Sequence, residues 1–340
     1  MNLLTFALAA GTLAQAPAAP APLLATYVDG MYGFIDRTGK VVVEPIYDYA
    51  SYMAEEMALV SKDEKFGFID KTGRLAIPAI YDDAYDFSEG LAAVFNGEKY
   101  GYIDKSGKMI IEPKFDPIAD ETPCRPFKEG FAAFQDYDSE RFGFIDKSGR
   151  IAISPKFLWA GDFQEGLAPV EYETDKYGFI DKSGNVVIQI DGYPYESFSE
   201  GLCPVMKGEK YGVIDKSGKF VIEAKYDDIG RFSEGLAWFI LDEKVGFLDK
   251  TGKVVIPPTY ALDDEHQSMP VGNFNSGLAW FRKGSGEDAR EGYIDKTGKV
   301  VIEAKFLVAF DFEHGLAEVF TTDNKQAYIN TKGEFIWKAP

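Results

Sequence analysis

Hydrophobic positions in this chain come in short runs, each cut off at a regular place. Leu91-Ala92-Ala93-Val94-Phe95 is apolar on both alternations and gives way to the polar turn Asn96-Gly97-Glu98. Tyr100 to Asp104 is a second apolar run, and Asp104-Lys105-Ser106-Gly107 follows with the residues of a type I turn, Asp first and Gly last. Lys108 to Glu112 is a third run, stopped by Pro113, which removes a ladder donor. The pattern predicts three short antiparallel strands joined by two tight hairpins, with Lys114-Phe115-Asp116 opening a connecting segment to Phe127 and Glu129-Gly130.

This unit recurs along the chain. The glycine of its second run falls at Gly33, Gly67, Gly101, Gly143, Gly178, Gly212, Gly246 and Gly292, and a worn ninth copy reads Gln326-Ala327-Tyr328-Ile329-Asn330. The spacing is 34 or 35 residues except for two intervals, of 42 and 46. A second motif, Phe-Ser-Glu-Gly-Leu-Ala, carries its glycine at Gly90, Gly130, Gly166, Gly201, Gly235, Gly277 and Gly315, with Glu56 in that slot of the first copy. Extrapolating the period backward starts the array near Leu23, and it ends at Trp337, leaving no room for a separate catalytic domain.

Strands that are apolar on both alternations must be covered on both faces, and one hairpin unit cannot do that alone. Neighbouring units therefore stack. The motif phenylalanine, present once per unit, is expected to form a ladder between units, and the recurring strand glycine marks a bulge or a close approach of another backbone. The expected fold is all-β: a tandem array of about nine three-stranded antiparallel units in an open, solenoid-like superhelix, with a closed β-propeller as the alternative. Nine units exceed the usual propeller range, 34 residues is short for a four-stranded blade, and no blade is split between the termini. One array over 23–337 is preceded by a leader at 1–22.

The copy Tyr100-Gly101-Tyr102-Ile103-Asp104-Lys105-Ser106-Gly107-Lys108, with Ile111-Glu112-Pro113-Lys114-Phe115-Asp116 and Phe127-Lys128-Glu129-Gly130 after it, resembles the WG-repeat family. The aromatic-glycine pair is Tyr-Gly or Phe-Gly here, and Val245-Gly246, Glu291-Gly292 and Gln326-Ala327 depart from it. The resemblance covers about Leu23 to Trp337. It implies tandem β-repeats, mostly in bacterial proteins, and no general activity or catalytic residue to carry over.

Met1 to Pro22 contains no charged residue, and Leu3 to Leu13 is an apolar run followed by small-x-small patterns at Ala14-Gln15-Ala16 and Ala16-Pro17-Ala18. That reads as a secretory signal peptide, too short for a retained span. All the charge therefore lies on the array, at a net −19 from 36 basic and 55 acidic residues. A chain this acidic is not built to displace counterions from a duplex, so nucleic acid is not an expected partner. Cys203 stands where other units carry Ala and reads as a small core residue. Cys124 lies in an insertion, and the sequence leaves their pairing open.

The aspartate after the second strand (Asp36, Asp70, Asp104 and so on) has a sufficient role as a turn former, and one carboxylate per unit is too few for calcium. His314 replaces a motif glutamate. The informative places are the breaks in the period: expansions at Pro117 to Pro126 and Gln135–Arg141, and again at Ala261 to Gly272 and Arg282–Glu291. Candidate binding residues are Trp238 and Trp280, on the first strand of adjacent units, and Asp263, Asp264 and His266 in the second expansion. No catalytic residue, metal or cofactor is expected. The sequence points to a non-enzymatic exported binding or scaffold protein acting on a protein or glycan at the cell envelope, in the periplasm or outside the cell, with a carbohydrate-binding protein or an acidic hydrolase as alternatives.

Overall fold

The computed structural model describes residues 22–116, 125–194, 197–262 and 269–340. The local geometry follows the turn residues. Asp104 Oδ1 accepts from the Ser106 amide at 2.9 Å, the Ser106 hydroxyl at 2.6 Å and the Lys108 amide at 3.1 Å, which fixes the second hairpin. The Glu-Gly pair of the second motif makes a turn of its own. Glu89 and Gly90 both have positive φ, 53° and 87°, and Ser88 and Leu91 pair across them, which is the geometry of a type I′ turn. Its second position is the glycine, which adopts that geometry without a Cβ penalty.

The strands pair in chain order. Leu91–Phe95, Tyr100–Asp104 and Met109–Phe115 form one antiparallel sheet, and the same arrangement recurs nine times. The recurring glycine sits opposite a bulge. Tyr100 pairs with Phe115 and Tyr102 with Ile111, so the outer strand carries two extra residues there. A methyl on Gly101 would lie 2.6 Å from the Ile111 carbonyl oxygen and 2.9 Å from the Pro113 nitrogen. The close backbone approach expected from the repeated glycine is what the structure shows.

Two expectations need correction. The unit is not simply three-stranded: six of the nine sheets have a fourth strand of two residues, such as Tyr49–Ala50, Asp83–Ala84 or Val308–Ala309, lying against the first long strand. It comes from the segment read as a connector, and two residues are too few to show a hydrophobic period. A 34-residue unit therefore does make a four-stranded blade. The array is also closed. The nine sheets stand in a ring, a nine-bladed β-propeller, and the open superhelix is ruled out. Each hairpin glycine abuts the outer strand of the preceding blade: Gly107 meets Ile77, Gly149 meets Ile111, Gly333 meets Ile302, and Gly39 of the first blade meets Ile336 of the last. That last contact closes the circle.

The cores lie between blades. The motif phenylalanine of one blade packs on the mid-strand aromatic of the blade before, with ring centroids 4.8 Å apart for Phe68–Phe87, 5.0 Å for Tyr102–Phe127 and 4.7 Å for Tyr293–Phe312. Cys203 is buried in one of these cores; Cys124 lies outside the described residues. Among the described residues no helix is long and apolar enough to cross a membrane.

A polar girdle runs around one face. In six blades the motif glutamate accepts the motif-glycine amide of the next blade, as Glu89 does from Gly130 at 2.8 Å and Glu129 from Gly166 at 2.9 Å, and Ser276 does so from Gly315. The turn lysine of that next blade reaches the same carboxylate: Lys147 to Glu89 and Lys182 to Glu129, each at 3.1 Å. Burial pushes the carboxyls of Glu55, Glu89, Glu129 and Glu200 up, but the hydrogen bonds from lysine and backbone outweigh it and leave them below the ordinary value. A depressed carboxylate stabilises the fold above its unfolded pKa of about 4.5, and that contribution is lost as pH falls through the lower folded value. Glu129→Gln is expected to destabilise the ring by about 1 kcal/mol at pH 7 and to converge on the wild type as pH falls below the ordinary carboxylate range, as read by denaturant melts across pH.

Candidate seat at the blade seam

The period breaks around one joint of the ring. Eight of the nine joints hold a hydrophobic cluster shared by two blades; among the described residues the joint between the last blade and the first holds none. The first blade begins at Leu24, and among the described residues no inner strand precedes it and no motif phenylalanine packs on Tyr328 of the last blade. The worn ninth copy supplies polar closure instead. Gln326 accepts from the Tyr27 amide at 2.6 Å and donates to the Ala25 carbonyl at 3.3 Å, and the Tyr328 hydroxyl donates to the same carbonyl at 2.7 Å. Arg37 donates to the His314 carbonyl, in the slot where the girdle lacks its glutamate.

Beside this joint lies a cavity of about 540 Å³. Its apolar wall includes Leu24, Met269, Trp280, Phe310 and Leu316, and its polar wall includes Tyr52, Arg282, Glu291, Asp311 and Glu318. A smaller hollow of about 350 Å³ lies on the far side of Tyr52 and Glu318 and takes in Asp86 and Ser51. The expansion in the eighth blade contributes directly: Met269 comes from its first inserted segment, and Arg282 and Glu291 flank its second.

The carboxylates here are not equivalent. Glu291 is 2% exposed and is held by Arg282 at 2.9 and 3.0 Å and by the Ala309 amide at 2.6 Å. Burial pushes its carboxyl up, against those bonds. Glu318 accepts from the Tyr52 hydroxyl at 2.5 Å and from Gln326 at 2.7 Å. Burial, then the Glu318 carboxylate, raise the Tyr52 phenol well above its ordinary value, so it stays a donor. Asp311 has no such partner set. Its Oδ1 is buried and accepts no hydrogen bond, and burial pushes its carboxyl up to about 6 against the pull of Arg231 and Asn273. Asp311 Oδ1 and Trp280 Nε1 converge over Gly272, 2.3 and 2.1 Å from where a methyl on that glycine would sit.

The sequence candidates part company here. Trp280 lines the cavity. Trp238 is 9% exposed, sits in the core between two blades and packs against Gly230, so it offers no free face. Asp263, Asp264 and His266 lie outside the described residues, as does the leader up to residue 21. Asp311, Glu318, Glu291, Arg282, Tyr52 and Tyr328 were not legible as a group, because they come from three blades, the second, eighth and ninth. Their signal was indirect: Glu318 stands where other units carry Ala, Pro or Trp, and Tyr328 belongs to the worn copy.

Known proteins place the chain by repeat and by fold. No curated protein matches its sequence. Among solved structures it is similar to a eukaryotic initiation factor, at 10% identity and a TM-score of 0.64 over 93% of this chain and 95% of that one. BamB from Moraxella catarrhalis matches at 11% identity and a TM-score of 0.46 over 82% and 92%, and apo AztD from Citrobacter koseri at 11% and 0.45 over 94% of each chain. These likenesses concern the fold alone. The sequence itself matches the model of the WG containing repeat eight times, at 32–66, 66–100, 100–138, 142–174, 177–211, 211–244, 246–286 and 292–325. Those tandem matches cover most of the propeller, and the chain belongs to the WG containing repeat family.

Proposed function

We propose that this protein is a non-enzymatic binding protein, acting at the cell envelope after export, in which the propeller is a rigid frame and the seam cavity is the seat for the ligand. The observation that carries this reading is the contrast between joints. Eight hold a hydrophobic cluster shared by two blades; the ninth, among the described residues, holds none and lies beside a cavity whose size falls in the range of about 300–1,000 Å³ typical of small-molecule seats. The features that break the repeat, the expansion and the worn copy, both put residues into that wall. Support for export is the uncharged apolar leader.

Val308 lines the cavity and is 39% exposed, so a large side chain there blocks the seat without entering a core. In a thermal-shift screen against a diverse small-molecule collection, ligands of the seat raise the Tm of the wild type and leave Val308→Trp unmoved, the two proteins melting alike without ligand. Hits that act equally on both would remove the cavity from the reading. Sugars belong in the collection, because Trp280 is the residue on which a glycan would stack; Trp238 is not available for it.

A further inference from the structure

We infer that the seam cavity is a cation site, taking an ammonium or guanidinium group carried on an aromatic or apolar body, with Asp311 as its anionic anchor and Trp280 as its flat wall. The inference rests on the cavity being the ligand seat and names the class of ligand. Its first ground is the charge balance of the wall. Among the described residues Arg282 is the one lining cation, and it is engaged with Glu291 through two bonds. Glu318, Asp311 and Glu313 remain, and among the described residues no lining cation is left for them; Arg231 acts on Asp311 from outside the lining. Glu318 is satisfied by neutral donors, Tyr52 and Gln326, which leave its charge in place.

The second ground is the unused acceptor. Asp311 Oδ1 is buried in the wall with no donor, a situation that costs free energy unless something supplies one. A charged donor does so most strongly, because its hydrogen bond is reinforced by the charge pair in a site shielded from water. The third ground is shape. Trp280 and Phe310 supply aromatic rings to the wall for a cation, and Leu24, Met269 and Leu316 supply apolar surface for the body that carries it. A negatively charged ligand would meet three carboxylates, and a wholly apolar one would bury them without compensation.

The site is also gated by protons. Around Asp311, Arg231 pulls its carboxyl down and Glu313 pushes it up, while burial dominates and sets it near 6. The Tyr293 phenol, raised by its own burial and then by Asp311, stays neutral beside it, as do Tyr52 and Tyr328. A cation needs Asp311 ionised, so apparent affinity scales with its ionised fraction and falls about tenfold between pH 7.5 and pH 5.

Calorimetry on the mature chain with benzamidine, its neutral isostere benzamide, and benzoate separates the outcomes. Benzamidine is expected to bind, at least tenfold tighter than benzamide, with benzoate silent. Asp311→Asn is expected to lose at least tenfold in benzamidine affinity and most of its pH dependence. Its fold is expected to hold, because a carboxyl raised above its unfolded value costs stability that builds as pH rises from about 4 to about 6 and is complete above it, and the amide removes that cost. Equal binding of benzamide and benzamidine, or full affinity in Asp311→Asn, overturns the cation assignment and leaves the cavity as a seat. Silence of all three probes overturns the cation site and counts against the seat as well.

Discussion

Gly101→Ala is expected to cost the ring about 3 kcal/mol, a drop in Tm of roughly 6 °C, although it adds a single methyl group. The reason is local and steric. The added carbon would sit 2.6 Å from the Ile111 carbonyl oxygen and 2.9 Å from the Pro113 nitrogen, both backbone atoms of the bulged outer strand. A flexible side chain would move aside; a bulge pinned by proline does not. Relief requires the outer strand to flatten, and that strand also carries Ile111 and Phe115 into the core shared with the next blade. Circular dichroism melts of Gly101→Ala against the wild type check this. A shift under about 1 °C would show that the bulge is soft and that the repeated glycine has some other cause.

The ninth blade contains the matching control. Where the other blades have glycine it has Ala327, and there the bulge is gone: Ala327 pairs directly with Lys338 and Tyr328 with Trp337. In the ninth blade the residue and the strand geometry change together, as the steric account requires; in the fifth, Gly178 pairs directly with Gln189, so glycine permits the bulge without imposing it. Ala327→Gly removes no clash and is expected to cost only the backbone entropy of glycine, about 0.5–1 kcal/mol.

This pairing also shows what a sequence of this kind reveals. The strands, the hairpin turns, the bulge glycine and the aromatic ladder were legible because each recurs at a fixed period and depends on short-range chemistry: Asp104 capping its own turn, Phe127 against Tyr102 one blade back. The inner strands were not legible. Asp83–Ala84 and Val308–Ala309 are two residues long, and their place is set by pairing with the next strand, not by a pattern of their own. Closure was hidden for a different reason. Whether nine equal units curve into a ring or a superhelix depends on small angles summed over all of them, and no one residue encodes that sum. The cavity residues were legible only as departures. Gln326, Glu318 and the eighth-blade expansion each broke the repeat, but what they build appears only when the first and last blades meet. Trp280 and Trp238 looked equivalent because they share a repeat position; they differ because Trp238 is buried in the core shared with the following blade, whereas Trp280, half-buried against its own inter-blade core, also lines the cavity.

Gln326→Leu is expected to loosen that joint, with a loss of about 3 kcal/mol. Leucine keeps much of the volume and none of the bonds. The Tyr27 amide loses its acceptor, and Glu318 loses one of its two donors while its charge stays buried. Elsewhere in the ring an aromatic core would compensate; here the joint is held by this network, the Tyr328 hydroxyl and the rim contact of Gly39 with Ile336. The damage should therefore be local. Hydrogen exchange is expected to accelerate in Leu24–Tyr47 and Leu316–Lys338 and to remain slow in the blades between Phe131 and Tyr226. An opened joint turns the ring into an arc, so the radius of gyration in small-angle scattering should rise near the midpoint of the transition, before secondary structure is lost. Uniform acceleration of exchange through all nine blades would mean that the propeller opens as one cooperative body, and the seam would then be no weaker than any other joint.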